Sequence, residues 1–377
     1  MKRREFLASV ALAPTLLSGA QEPDEAGLAS LFDGTSLAGW SVADGPESAF
    51  YVQDDAIVVH PSAGFPTWLR SARQYENFDF RGEFFVQGWM NSGLYLHAPE
   101  HGRNISCGMK INIFQQVDAT PKPESMGSIF PLVPPLKVNV KNKGEWNTFR
   151  IVMDWPRLRV WTNGEVIQDL DVETVPELRH RLRSGYLGLE SLSYPIRFRR
   201  LRVRELPSKI SWTPLYETAG DFAKWRIMDG KPIFQALGGV LHGDGDGHFA
   251  TNETFRDFEL QMYVRHVRHH NGGVIFGGPG GGLPGRRYEI QLHDVEGAHY
   301  PTGSLYTFKR ALYPRIEPEQ WWLFQLRVKD AACLVRVNGD TVLEYEGLEL
   351  PAAGPIALQA HDAGRWTEYK HIQVRRI

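Results

Sequence analysis

Residues 335–346 read Val335-Arg-Val-Asn338-Gly339-Asp-Thr-Val-Leu-Glu-Tyr-Glu346. Apolar and polar residues alternate on both sides of Asn338-Gly339, and a period of two sends successive side chains to opposite faces of a strand. Asn-Gly is the dipeptide that most readily takes the positive φ needed at both centres of a two-residue hairpin turn. The stretch therefore reads as an antiparallel hairpin. An earlier segment follows the same plan: Leu158-Arg-Val-Trp-Thr-Asn163-Gly164 matches Cys333-Leu-Val-Arg-Val-Asn338-Gly339.

Self-similarity extends well beyond the hairpin. Tyr75-Glu-Asn-Phe78-Asp79-Phe80 resembles Phe255-Arg-Asp-Phe258-Glu259-Leu260, and Asn91-Ser-Gly93-Leu-Tyr-Leu-His-Ala-Pro99 resembles Asn271-Gly-Gly273-Val-Ile-Phe-Gly-Gly-Pro279, both at a separation of 180 residues. Met126-Gly-Ser-Ile-Phe130 pairs with Thr302-Gly-Ser-Leu-Tyr306, and Glu145-Trp146 with Gln320-Trp321, at slightly shorter spacing. Features recurring in one order at one period mark a duplicated unit. The chain reads as two copies of one domain, residues 25–206 and 210–377, joined at Pro207-Ser-Lys-Ile-Ser. Short alternating runs bounded by turn residues predict an all-β fold, each copy an antiparallel β-sandwich or jelly roll. Helix should be scarce, with a short turn of it over Thr174–Leu182. Trp40, Trp146, Trp225 and Trp321 recur at matching places and are expected in the cores.

Composition narrows the function classes. With 42% hydrophobic and 23% charged residues the chain is neither disordered nor collagen-like. A net charge of −2 leaves no electrostatic footprint for nucleic acid or anionic lipid. Residues 1–20, MKRREFLASVALAPTLLSGA, read as a cleavable export signal whose apolar part is too short to span a membrane. Arg3-Arg4 resembles the twin-arginine motif, predicting a periplasmic or secreted bacterial protein. No Cys follows the apolar run, so no lipid anchor is expected. Cys107 and Cys333 occupy different places in the repeat and have no zinc-site spacing, so neither a disulfide framework nor a zinc site is predicted.

Leu31-Phe-Asp-Gly-Thr-Ser-Leu-Ala-Gly-Trp40 resembles the opening of the bacterial 3-keto-disaccharide hydrolase domain. The similarity continues through Asn91-Ser-Gly93, Gly144-Glu-Trp-Asn147 and Asn163-Gly164, then Tyr288-Glu-Ile-Gln291, Pro301-Thr-Gly-Ser-Leu-Tyr306 and Ile356-Ala-Leu-Gln359. The resemblance implies two tandem concanavalin A-like jelly-roll β-sandwiches that hold carbohydrate on a concave sheet face. It also implies cleavage of glycosides whose sugar carries a ketone at carbon 3, and an exported sugar oxidoreductase as partner. Two departures stand out. Leu215 to Trp225 lacks Phe-Asp-Gly, and Met109-Lys-Ile-Asn-Ile-Phe114 stands where the second copy has Tyr288-Glu-Ile-Gln-Leu-His293.

Arg287-Tyr-Glu-Ile-Gln-Leu-His-Asp294 alternates as a half-buried strand, with Arg287, Glu289, Gln291 and His293 on one side. A 3-keto group acidifies the C2 hydrogen, so a base near neutrality can remove it while the C1 substituent is expelled. Glu289 and His293 are the base candidates, Tyr306 the candidate acid. Arg287 and Gln291 could bind hydroxyls or an enolate, and Ser304 and Lys309 could donate to sugar oxygens. His361, at a strand end, joins the substrate-binding candidates. With Asp362, His293 and Asp294 or Glu289, it could also supply ligands to a divalent metal. In the first copy Lys110, Asn112, Phe114 and Gln116 form the equivalent face, suited to sugar binding or domain packing; Asn112 with Lys137, Asn139 and Lys141 could line a pocket there.

Other motifs read as structure. His266-Val-Arg-His269-His270 is expected at a solvated rim, and Gly277 to Gly285 as a lip of the cleft, since it lacks the ending of a phosphate loop. The Glu-x-Asp-x-x-Glu run of two-carboxylate jelly-roll glycosidases is absent. Glu344-Tyr-Glu346 and Asp169-Leu-Asp171 follow the Asn-Gly turns and read as solvated edge strands. The competing function is a non-catalytic exported carbohydrate-binding or scaffold protein. Convergence of Glu289, His293 and Tyr306 on one concave pocket discriminates the two.

Overall fold

In the computed structural model both Asn-Gly pairs turn hairpins: φ is 51° and 79° at Asn163 and Gly164, and 48° and 84° at Asn338 and Gly339. The structure describes residues 25–61, 67–115, 118–141, 143–278, 287–295, 297–350 and 352–377. The expected export signal, Gln116 and most of the Gly277–Gly285 lip lie outside the described residues.

Among the described residues, strands between Ala29 and Glu205 form an eight-stranded and a five-stranded antiparallel sheet, and strands between Thr213 and Arg376 form an eleven-stranded one. Each copy is a jelly-roll sandwich. In the second copy Val240–Phe255 runs through both layers, pairing first with Thr367–Tyr369 and then with Gly354–Ala360. The first copy divides the same task between Ala56–Val59 and Thr67–Tyr75, which sit in different sheets. Alternation fills each sandwich from its own strands: Phe78, Phe80, Phe84 and Phe198 in one, Phe258, Tyr288, Trp322 and Phe324 in the other. The strands Glu165–Asp171 and Asp340–Glu346 end their sheets, so their acidic residues lie on edges. Among the described residues helix is confined to short turns such as Asn104–Cys107 and Val172–Thr174, and Cys107 and Cys333 are buried free thiols.

Two expectations need correction. Trp40 and Trp225 are buried, their indole N–H groups donating to the Leu31 and Leu215 carbonyls at 2.5 and 2.9 Å. Trp146 and Trp321 instead lie half-buried outside the sandwich cores, with guanidinium groups of Arg199 and Arg265 at 3.8 and 4.7 Å over their rings. They are one position out of phase: the neighbours Asn147 and Trp322 take the inward places. His266 and His270 are buried, not at a solvated rim, and stack with ring centroids 5.2 Å apart. The alternation of Phe258, Leu260, Met262 and Val264 carries His266 inward with them, and burial lowers the His270 pKa to about 3.

The copies meet through a small apolar cluster, Cys107 and Leu182 against Tyr263 and Leu323, and through polar contacts. The Glu100 N–H donates to Tyr263 Oη at 2.7 Å, and Lys370 Nζ donates to Glu100 Oε1 at 2.9 Å. Arg336, from the hairpin quoted above, donates to the carbonyls of His180 and Ser106. His371 lies between Glu100, 3.2 Å away, and Glu217, 2.8 Å away.

Candidate functional site

The strand Tyr288–His293 lies at one end of the second copy's sheet, followed in order by Asn271–Phe276, Gly354–Ala360 and Val240–Phe255. Tyr288, Ile290 and Leu292 are fully buried in the core, so Glu289, Gln291 and His293 face the other way. Pairing aligns His248, Gln359, Gly273 and Gln291 in one row across four strands, and sets Asn271 beside His293. Residues paired in this way share a face of the sheet.

Beyond the last strand, the segment Thr302–Tyr306 runs back alongside it. Gln291 N–H donates to the Ser304 carbonyl at 2.9 Å, Gly303 N–H to Gln291 at 2.8 Å, and Tyr306 N–H to Glu289 at 2.9 Å. Gly303, at φ 90°, supplies the left-handed turn that a side chain would resist. Glu289, Gln291, His293, Tyr306 and His361 thereby line one cleft of about 430 Å³, with Asn271, His299, Tyr300 and Gln359.

The carboxylate of Glu289 folds over Gly273, where a Cβ would stand 2.5 Å from Glu289 Oε1. Gln291 Nε2 holds that oxygen at 2.6 Å. Burial raises the Glu289 pKa, opposed by His248 and His361. Burial likewise lowers the His293 pKa, opposed by Asp294. Near neutrality the His293 imidazole is therefore unprotonated and able to accept a proton, while Glu289 is a stronger base than an ordinary carboxylate.

The remaining sequence candidates lie elsewhere. Arg287 Nη1 lies 3.8 Å from the Asp229 carboxylate. Ser304 is buried, and its hydroxyl accepts from the Ala311 N–H at 3.0 Å. The turn from Leu305 to Lys309 carries the Lys309 amine to the Glu344 carbonyl, 2.8 Å away on the edge strand. Asp294 turns to the opposite face from His293, where its carboxylate accepts from the His269 N–H at 3.2 Å. Asp362 pairs with the cleft residue His361, whose Nδ1 lies 3.2 Å from its carboxylate. Among the described residues no group of three or more His, Cys, Asp or Glu side chains is arranged to hold a metal ion.

A family model described as the 3-keto-alpha-glucoside-1,2-lyase-like domain matches residues 27–204 and again residues 211–375. The chain belongs to this family. Among solved structures, a Parabacteroides distasonis protein put forward as a glycosyl hydrolase is 19% identical at a TM-score of 0.43, covering 48% of this chain and 94% of its own. The Bacillus subtilis carbohydrate-binding module CBM66 is 9% identical at 0.34, with coverage of 44% and 96%. The Bacillus licheniformis beta-glucanase is 10% identical at 0.33, with coverage of 46% and 100%. No curated protein matches this sequence significantly.

The two family domains differ sharply at the cleft. In the first, Asn112 N–H donates to the Ser128 carbonyl, Gly127 N–H to Asn112 and Phe130 N–H to Lys110, the same backbone bonds that Gln291 and Glu289 make with Gly303–Tyr306 in the second. Register then sets Lys110 at the place of Glu289, Asn112 at Gln291, Phe114 at His293, Glu190 at Gln359 and Phe130 at Tyr306. Lys110 Nζ donates to Glu190 Oε2 at 2.6 Å, Tyr95 Oη donates to Glu190 Oε1 at 2.6 Å, and the Phe130 ring covers the ammonium at 4.6 Å. Asn112 Nδ2 is spent on the Glu124 carbonyl at 2.7 Å. Lys110 and Asn112 are both buried, and the Lys110–Glu190 pair takes up the place that Glu289 and Gln359 leave open in the second copy, while Asn112 Oδ1 has no partner. Lys137 and Asn139 instead meet Glu165.

Sequence reading missed His248 and Asp229, which border the cleft behind Gln359. Nothing flags them: His248 ends the run Gly243-Asp-Gly-Asp-Gly-His248, and Asp229 comes from the partner strand of a long hairpin. Asn271 was visible only as part of the repeat and Gln359 only in the stretch Ile356-Ala-Leu-Gln359 that carries the family resemblance, while nothing in the sequence marks His299 and Tyr300.

Proposed function

We propose that the chain is an exported bacterial enzyme that cleaves 3-keto-glycosides in the cleft of its second domain. The observation that carries this reading is the meeting of Glu289, His293 and Tyr306 on one cleft. Family membership and the twin-arginine-like start at Arg3-Arg4 support it further. Among the described residues no helix is long and apolar enough to cross a membrane.

The chemistry follows from the ketone. It withdraws electrons from C2, so a base, His293 or Glu289, can take the C2 proton. The C2–H electron pair becomes the C1–C2 double bond as the bond from C1 to the glycosidic oxygen breaks. Tyr306 donates a proton to the departing oxygen, and water adds across the double bond in a later step. The substrate must arise by oxidation of a glycoside at carbon 3, so the proposed partner is an exported sugar oxidoreductase.

Product analysis tests the reading. The mature protein is incubated with matched plain and 3-keto glucosides, with and without chelator, beside His293→Ala and Glu289→Gln. Release of the leaving group from the keto substrate alone, lost in at least one variant, is the expected result. Saturable sugar binding without turnover would replace catalysis with carbohydrate binding.

A further inference from the structure

The ring of His248 lies one strand behind the cleft wall, with Nδ1 2.5 Å from Asp229 Oδ1 and Nε2 3.3 Å from Gln359 Nε2. A carboxylate only accepts hydrogen bonds, so the ring nitrogen facing Asp229 carries the proton. In a neutral ring the other nitrogen is then an acceptor. It accepts from the amide NH2 of Gln359, which turns Gln359 Oε1 away from the ring. That oxygen is buried without a partner, in a residue that lines the cleft. A buried acceptor left open is costly unless something arrives to donate to it.

The first domain supplies an internal comparison. Trp68 stands where His248 does, and its indole N–H donates to Asp44 at 2.9 Å. Asp44 and Asp229 each follow the matched residues Trp40 and Trp225 by four positions. A carboxylate holding a ring is thus common to both copies. Only the second copy has a ring with a further, accepting nitrogen. At the place of Gln359 the first copy has Glu190, whose two oxygens are taken by Tyr95 and Lys110. At this place in the sheet the second copy has an amide oriented by a ring and an open acceptor, where the first has a carboxylate with both oxygens bonded.

We propose that Asp229, His248 and Gln359 form a positioning relay that makes Gln359 Oε1 a hydroxyl-recognising group of the cleft. It accepts a hydrogen bond from one hydroxyl of the bound sugar and so selects which sugars fit. The proposal rests on the carbohydrate reading of the cleft. Asp229 and His248 act through Gln359; they are positioning residues and do not touch the sugar.

The test uses the mature protein with methyl 3-keto-glucoside and its 2-, 4- and 6-deoxy analogues. Gln359→Leu and His248→Phe should each lower kcat/KM about tenfold on the parent sugar, through KM more than kcat. One deoxy analogue should lose about as much with the wild type and lose nothing further with either variant. His248→Gln, whose side-chain oxygen can still accept from the Gln359 amide, should restore recognition. Equal losses on every analogue, or no rescue by His248→Gln, would overturn the proposal. A second arm needs no ligand: imidazole nitrogen NMR should show His248 protonated at Nδ1, and an Nε2-protonated ring would overturn the relay directly. If the wild type neither binds nor turns over any of these sugars, the carbohydrate reading falls and the recognition role falls with it. The tautomer result then bears on the relay alone.

Discussion

Replacing Gly273 by Ala is the sharpest probe of the cleft. A Cβ there would lie 2.5 Å from Glu289 Oε1, 2.7 Å from Cγ and 3.0 Å from Cδ, whereas ordinary contact begins at 3.4 Å. The carboxylate must retreat by about 1 Å, and at that distance it leaves the Gln291 amide that holds it. A misplacement of about 1 Å at a reacting group can cost about 100-fold in rate. The fold should survive, because the atoms met belong to the end of a flexible side chain. Overpacking of about 1–3 kcal/mol is partly offset by about 0.4–1 kcal/mol from the stiffer unfolded chain. The expected outcome is a melting temperature within a few degrees of wild type and a kcat/KM on the 3-keto substrate lowered about 100-fold. Gly93→Ala is the matched control: its Cβ would meet the Lys110 side chain at 2.8 Å, so it should disturb melting without touching turnover. A Gly273→Ala protein within about twofold of wild-type kcat/KM would refute the reasoning that Glu289 acts from its position over Gly273.

Three further outcomes are expected. Lys110→Met leaves the Glu190 carboxylate buried without its cation, a change that costs about 3–5 kcal/mol; urea unfolding should show the loss, and adding Glu190→Met should recover most of it. His371 has its pKa raised above 6.5 by its bond to Glu100 and then by Glu217, with burial opposing. Because the folded pKa lies above the unfolded one, this stabilisation is fully present below pH 6.5 and is lost as pH rises through the folded value. The urea midpoint should therefore decline over that window, and the decline should flatten in His371→Asn. With the His293 pKa held below 6.5 by burial, the acid limb of the turnover profile should have its midpoint below pH 6.5. An acid limb with its midpoint above that value would remove His293 as the base.

Local pattern carried the fold a long way. The Asn-Gly hairpins, the period-two runs and the repeat point to two all-β units, and the alternation of Tyr288, Ile290 and Leu292 separates a core face from a polar one. Where a side chain's fate depends on a turn, local pattern is blind. Ser304 and Lys309 share a segment with Tyr306, yet only Tyr306 meets the cleft, because the turn at Leu305 to Lys309 redirects the lysine to Glu344. Register between distant strands is equally invisible: His248 reaches the Gln291 row only because Val240–Phe255 pairs with Gly354–Ala360 at that offset. His266 illustrates the opposite error, since polarity suggested solvent while strand phase decided burial.

The ion pair of Lys110 and Glu190 bears on stoichiometry. Duplicated domains usually invite the expectation of two sites and of communication between them. Here the cleft of one copy is occupied by its own side chains, so a ligand of the other has no twin site at the equivalent place. A titration of the whole chain should saturate at one equivalent, along a simple hyperbola. On the proposed function, duplication enlarges the molecule around the second cleft, and the first domain's Lys110–Glu190 pair puts into folding what the second keeps for a ligand.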